Sequence, residues 1–365
     1  MNSVHLDRIG RAEEETAARD LDALVVSPSR DLAYLTGYDP MPLPRPTLLV
    51  LRPGGDPVML VPKLEQALAA ASPLGEHLEL VPWRDGSDPY EAAASLLAGA
   101  TRIAVADRLW ATHLLGLQGA LPDAAFLPAS PVMGRLRAVK DEHELGALRR
   151  AGRGADETFR QVLTMPFQGR AEEDVAHDLA ELLVRNGHAR AAFTIVASGP
   201  NAASPHHEPG GRTILPHDAV VMDFGGELAG YFSDTTRTVV VTEAPIGFEQ
   251  AYAAVQEAQA AAVDAVRPGR EAQEIDRAAR TIVESAGYGE RFIHRTGHGI
   301  GLELHEPPYM VEGDRTVLEP GMTFSVEPGI YLDGRFGIRI EDIVAVTADG
   351  VERLNRSTRE LQIVA

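Results

Sequence analysis

Four carboxylates and one histidine in the C-terminal half of this chain are spaced as if to act together. Ala219-Val220-Val221-Met222 is an apolar run ending in Asp223-Phe224-Gly225-Gly226. After a turn, Tyr231-Phe232-Ser233-Asp234-Thr235-Thr236-Arg237 leads into Thr238-Val239-Val240-Val241. This pattern predicts a β-hairpin with one aspartate on each strand. Met322 to Gly329 alternates, setting Thr323, Ser325 and Glu327 opposite Met322, Phe324 and Val326. Ile338 to Ile343 alternates too, with Arg339 and Glu341 opposite Ile338 and Ile340. Each of these strands thus delivers a glutamate on its polar side. The fifth group is His298, in the segment His294 to Pro308. Glycine and proline are too frequent there for a helix, so a strand or loop presents it. The plain alternative is a glycine-rich turn with incidental histidines.

Taken singly, each carboxylate is most simply a surface ion-pair partner. Gathered in one site, four carboxylates would repel and drive one another's pKa upward. Two divalent cations supply the four positive charges that balance them. Oxygen-dominated ligation with a single imidazole suits Mn²⁺ or Co²⁺ as well as Zn²⁺. Two such ions a few ångströms apart can share a hydroxide, formed near neutral pH, that attacks a carbonyl.

The elements that must position these groups divide into two domains, expected at 1–135 and 136–365 of the 365 residues. In the first, short apolar runs at 23–26, 47–51, 58–61, 78–81 and 103–106 alternate with helical stretches, an α/β domain with a mixed sheet. It holds neither a glycine-rich phosphate loop nor a cluster of metal-ligand residues. Asp141 with Glu144 then resembles a helix-start box, followed at helical spacing by Leu145, Leu148, Gly152, Ala155 and Phe159. Further helices are predicted at 171–186, 248–266 and 271–286, interleaved with strands in hairpin-like pairs. The second domain is therefore α+β with an antiparallel sheet and covering helices.

Composition narrows the partners. A net charge of −19 argues against nucleic acid or an anionic membrane, both of which need a basic face. Cysteine is absent, so disulfide and thiolate chemistry are excluded. Residues 1–23 lack the apolar core of a signal peptide, and no apolar run reaches the length of a membrane span. The expected location is the cytoplasm.

Five segments in register over this domain resemble the metal-dependent proline peptidases, Xaa-Pro dipeptidase (prolidase) and Xaa-Pro aminopeptidase. They are Asp223-Phe224-Gly225, Ser233 to Arg237, His294 to Pro307, Ser325 to Gly329 and Gly337 to Asp342. The likeness extends back through Ser198-Gly199-Pro200-Asn201 to His206, and more loosely to Tyr34-Leu35-Thr36-Gly37-Tyr38. The resemblance implies the pita-bread catalytic fold, preceded by a creatinase-like α/β domain. It implies Asp223, Asp234, His298, Glu327 and Glu341 as metal ligands, with Asp234 and Glu341 bridging two ions and Glu327 also shuttling protons. His206 and His305 match the histidines that contact the scissile carbonyl, His294 would line the substrate pocket, and Arg339 would pair with a carboxylate behind the ligands. His207 stays open, since in an extended chain adjacent rings face opposite ways.

The activity this implies is hydrolysis of the Xaa-Pro bond in a small peptide. The alternatives are an aminopeptidase acting on longer peptides, or a non-catalytic binding protein on the same fold. A dipeptide-restricted enzyme also needs a group that receives the substrate carboxylate. Arg339 is engaged, so that group is expected from elsewhere, such as the N-terminal domain of a neighbouring subunit in a homodimer. Arg45, in the proline-stiffened loop Asp39 to Arg45, is the candidate, and a solvated surface arginine is its simpler reading.

Overall fold

A computed structural model describes residues 2–365. The chain forms two compact units, one ending at Arg137 and the other spanning Ala138–Ala365. No helix among the described residues is long and apolar enough to cross a membrane.

The N-terminal unit is built on one sheet of β1 (Ala23–Val26), β2 (Leu48–Leu51), β3 (Val58–Pro62), β4 (Glu79–Trp83), β5 (Arg102–Val105) and β6 (Ala125–Pro128), in the order β4-β3-β2-β1-β5-β6. β1 pairs parallel to β5 and antiparallel to β2, so the sheet is mixed, as expected. β1 and β2 are buried along their whole length, which explains their unbroken apolar runs. The helices are α1 (Asn2–Ala17), α2 (Arg30–Thr36), α3 (Gln66–Ala70), α4 (Pro89–Leu96), α5 (Ala111–Ala120) and α6 (Ser130–Ala138). Sequence reading missed α2, α5, α6 and β6. In α5, apolar residues on every side and two internal glycines leave no stripe for periodicity to detect.

The reading of Arg45 as a free receptor for a carboxylate needs correction. Its Nε and Nη2 already donate to the two oxygens of Asp85, at 2.8 and 2.7 Å. β2 and β3 are antiparallel and β3 and β4 parallel, so the chain entering β2 and the chain leaving β4 meet at one end of the sheet.

The second unit contains two larger sheets, each backed by a pair of helices. α7 (Glu142–Val162) opens on the expected box, with the Glu144 N–H donating to Asp141 and the Asp141 N–H to Glu144. With α8 (Glu172–Arg185), it covers β7 (Arg190–Ser198) and β8 (Ala219–Leu228). Here Phe159, Val175, Leu179 and Leu183 pack against Val196, Val220, Met222 and Phe224. β9 (Tyr231–Phe232) and then β10 (Thr235–Val241) pair with β8 along the edge opposite β7. α9 (Phe248–Ala265) and α10 (Ala272–Ser285) cover the second sheet. It consists of β11 (Gly297–Gly299), β12 (Glu306–Met310), β13 (Thr323–Val326), β16 (Asp342–Val346) and β17 (Val351–Arg353), in the order β12-β11-β13-β16-β17. β14 (Gly329–Leu332) and β15 (Phe336–Arg339) form a separate ribbon.

The structure alters three expectations in this unit and settles one. β18 (Gln362–Val364) joins β10 in parallel, so the first sheet is mixed rather than purely antiparallel. Asp234 lies in the link between β9 and β10, not within a strand. Of the strand or loop expected for His298, the structure has the short strand β11. The run Ile338–Ile343, read as one strand, divides: β15 pairs with β14 while β16 pairs with β13, and Glu341 occupies the crossing between them.

Gly297 is where β11 comes closest to its neighbour, because an added Cβ would collide with the Ser325 backbone carbonyl. Gly297→Ala should destabilise the catalytic unit by about 1–3 kcal/mol through overpacking. Gly10→Ala in α1, where the new carbon meets open space, is the control. Urea denaturation checks this, and an unchanged midpoint for Gly297→Ala would refute the close approach.

Candidate active site

The polar faces of both sheets open onto a cavity of ≈ 560 Å³. Asp223, Asp234, His298, Glu327 and Glu341 all line it, together with His206, His294, His305 and Arg339. Asp223 projects from β8 on the face opposite Met222 and Phe224. Glu327 follows β13, and Glu341 stands where the chain passes from the ribbon to the second sheet.

These side chains are close. Asp223, Asp234 and Glu341 each offer an atom within 4.8 Å of the others, as do His298, Glu327 and Glu341. His298 Nε2 lies 3.4 Å from Glu327 and 3.6 Å from Asp234. Its Nδ1 faces the Gly299 carbonyl at 3.1 Å, which places the proton there and turns the Nε2 lone pair toward the carboxylates. Burial, and then neighbouring His305, push the imidazole down to about 3, so it is neutral.

The carboxylates are shifted the other way. Burial raises Asp234 and Glu341 well above the ordinary range, and the neighbouring carboxylates raise them further. Burial lifts Glu327 to about 7, against the pull of Arg339. Asp223 Oδ1 and Glu341 Oε1 are buried with no hydrogen-bond partner among the described residues. Acceptor oxygens thus converge with too few donors to satisfy them. That is the pattern a set of cation ligands makes and a hydrogen-bonded network does not.

Surrounding groups hold the set in place. Thr236 Oγ1 donates to Glu341 Oε2 at 2.6 Å, and Ser325 Oγ donates to Glu327 while accepting from the His298 N–H. Arg339 donates to Asp223 at 2.5 Å and to the Tyr331 hydroxyl at 2.8 Å. His294 lines the cavity, but both its nitrogens are occupied, Nδ1 by the Arg295 carbonyl and Nε2 by Tyr331. It therefore faces the cavity through ring carbon. His305 lies against His298, the rings tilted by 51° with centres 3.9 Å apart, and is close enough to Asp234 and His298 to join a ligand set.

His206 and His207 do diverge, although a turn rather than an extended strand separates them. The His207 N–H donates to Ser204, and only His206 reaches the cavity. Sequence reading overlooked Tyr331, the apolar wall of Phe193, Ile195 and Leu304, and above all Arg295. The available signal for Arg295 was its place inside the histidine-rich segment already singled out. Its guanidinium lies 4.4 Å over the Tyr309 ring, and it forms no ion pair with a carboxylate among the described residues.

Comparison with known proteins gives the same picture. Residues 146–348 match the model of metallopeptidase family M24, and residues 8–139 match the creatinase/prolidase N-terminal domain. The chain is 46% identical to a probable dipeptidase PepE of Mycobacterium tuberculosis, over 99% of this chain and 97% of the relative. It is 35% identical to a Xaa-Pro dipeptidase of Lactobacillus delbrueckii subsp. lactis, over 99% of both. Among solved structures it is similar to dipeptidase PepE from Mycobacterium ulcerans, with a TM-score of 0.96 and 43% identity, covering 100% of this chain and 98% of that one. The chain belongs to metallopeptidase family M24 and is a peptidase with a creatinase/prolidase-type N-terminal domain.

Proposed function

We propose that this chain is a Xaa-Pro dipeptidase that works with two divalent metal ions, Mn²⁺ first among them. The observation carrying this reading is the cavity in which Asp223, Asp234, His298, Glu327 and Glu341 converge, with Asp223 Oδ1 and Glu341 Oε1 left without donors. These five residues would hold the ions. One imidazole among oxygen ligands favours Mn²⁺ over softer alternatives. When bound, the ions supply a nucleophile from water at neutral pH and polarise the scissile carbonyl.

The chain's own residues do the rest. Glu327 takes a proton from the attacking water and returns it to the leaving nitrogen. His305 and His206 donate to the oxyanion of the tetrahedral peptide centre. Arg339 holds Asp223, and Thr236 holds Glu341, so that neither carboxylate turns away. Phe193, Ile195 and Leu304 offer an apolar wall suited to a proline ring. Arg295 is a cation in the cavity without a carboxylate of its own, and receives the free carboxylate of the dipeptide. This takes the place of the arginine sought in the N-terminal unit and favours a dipeptidase over an aminopeptidase.

We also place the enzyme in the cytoplasm, as its lack of cysteine suits, and as a homodimer. Met41, Leu43 and Trp110 of the N-terminal unit are exposed apolar side chains that a second copy would cover.

Three measurements test this reading. Asp234, Glu327 and Glu341 have folded-state pKa values above their unfolded ones. Their contribution is fully present below the unfolded value, and the metal-free protein loses it as pH rises through the folded one. Cations replace these protons, so adding Mn²⁺ to the metal-free protein should raise its melting temperature more at about pH 8 than at about pH 5.5. Equal shifts at both pH values would remove the carboxylate cluster as the seat of the ions.

His305→Ala should lower kcat by about a hundredfold while metal content by elemental analysis stays at the parent level. Loss of metal in that variant would make His305 a ligand instead. Arg295→Met should raise KM for a Xaa-Pro dipeptide about tenfold or more, and leave the same dipeptide bearing a C-terminal amide unchanged. Equal effects on both substrates would take the carboxylate away from Arg295.

A further inference from the structure

The segment that carries His206 is tied down at both ends by a single buried carboxylate. Glu172, at the start of α8, has a side chain with 0% exposure. Its Oε1 accepts from the Ser198 backbone N–H and the Ser198 hydroxyl, both at 2.7 Å, and from Asn201 Nδ2 at 3.1 Å. Its Oε2 accepts from Asn201 Nδ2 at 3.1 Å and from His207 Nε2 at 2.8 Å. Burial would raise this carboxyl, but the donors outweigh it and hold Glu172 below its ordinary value, so it is ionised. The first turn of a helix also favours a negative charge.

Ser198 is the last residue of β7, and His207 closes the turn that begins at Ser204. Between them lie the 3₁₀ turn Gly199–Ala203 and then His206. With Ser198 and His207 both bound to one anion, the backbone at 206 has little freedom, and His207 cannot take its neighbour's place in the cavity. We infer that Glu172 and His207 are positioning residues that aim His206 at the substrate. The inference rests on the reading in which His206 meets the peptide carbonyl. Neither residue touches substrate. His207 acts by donating one hydrogen bond away from the site, and that donor, rather than the imidazole as such, is what the clasp requires.

The test compares His207→Leu, which removes the donor, with His207→Gln, whose amide can present an N–H near the position of Nε2. Because His206 acts on the transition state, His207→Leu should lower kcat about tenfold or more with KM nearly unchanged. His207→Gln should restore most of it, and metal content should match the parent in both. In a His206→Ala background, His207→Leu should add no further loss, since two residues acting through one ring are not additive. Ring NMR supplies a direct readout: the His207 Nε2–H proton should be visible and slow to exchange in the parent, and lost in Glu172→Gln.

Parental kcat in His207→Leu, or a full additional loss on top of His206→Ala, would overturn the clasp while leaving the role of His206 standing. Parental kcat in His206→Ala would overturn both. If Glu172→Gln does not fold, the His207 variants and the parent's exchange rate still decide the matter.

Discussion

Negative charge gathered in one cavity is the constraint on which this structure depends. Asp223, Asp234, Glu327 and Glu341 face one another, and like charges so placed repel; Asp234, Glu327 and Glu341 are raised by burial. The architecture keeps them together by making every alternative costly. Two helix pairs bury the apolar faces of both sheets, so the strands cannot rotate their carboxylates outward without exposing Met222, Phe224, Phe324 and Val326. Hydroxyls from Thr236 and Ser325 and the guanidinium of Arg339 then fix each carboxylate's direction. They still leave two oxygens without donors, which is where divalent cations belong.

Glu341 and Asp342 show how finely environment divides neighbouring carboxylates. Both are fully buried and adjacent in sequence, at the point where the chain leaves one ribbon and enters another sheet. Glu341 faces the cavity and is raised. Asp342 faces the other way, and although burial would raise it too, Arg237, Arg359 and Arg353 overcome that and hold it low. Arg237 also donates to the Glu341 backbone carbonyl, so the structural ion pair fixes the backbone from which the cavity carboxylate projects. One residue anchors the chain at the crossing, and the other is freed for chemistry.

The histidines divide in the same way, according to what occupies their second nitrogen. His298 anchors Nδ1 on Gly299 and offers Nε2 to the cavity. His294 has both nitrogens engaged and serves the Tyr331–Arg339–Asp223 chain. His188, outside every candidate motif in sequence, bridges the Leu183 carbonyl and the Ser233 hydroxyl, next to Asp234. Histidine count and spacing do not separate these roles; hydrogen-bond partners do.

The sequence by itself determined what depends on neighbours a few residues apart. The Asp141–Glu144 box, the apolar stripe of α8 and the pairing of the two strands beside Asp223 and Asp234 follow from local periodicity and capping, and all appear in the structure. The four carboxylates could be singled out because each sits beside or within an apolar strand pattern, and His298 because glycine flanks it in a segment rich in histidine. Only the tertiary structure decided where Ile338–Ile343 divides, because that depends on which partners, β14 or β13, each half finds. Only it decided that Arg45 is taken by Asp85, that His207 turns to Glu172, and that Arg295 alone enters the cavity as an uncommitted cation among the described residues. Those outcomes are set by groups tens of residues away along the chain. A charged side chain's pattern in sequence shows that it needs a partner; only the fold brings the partner within reach.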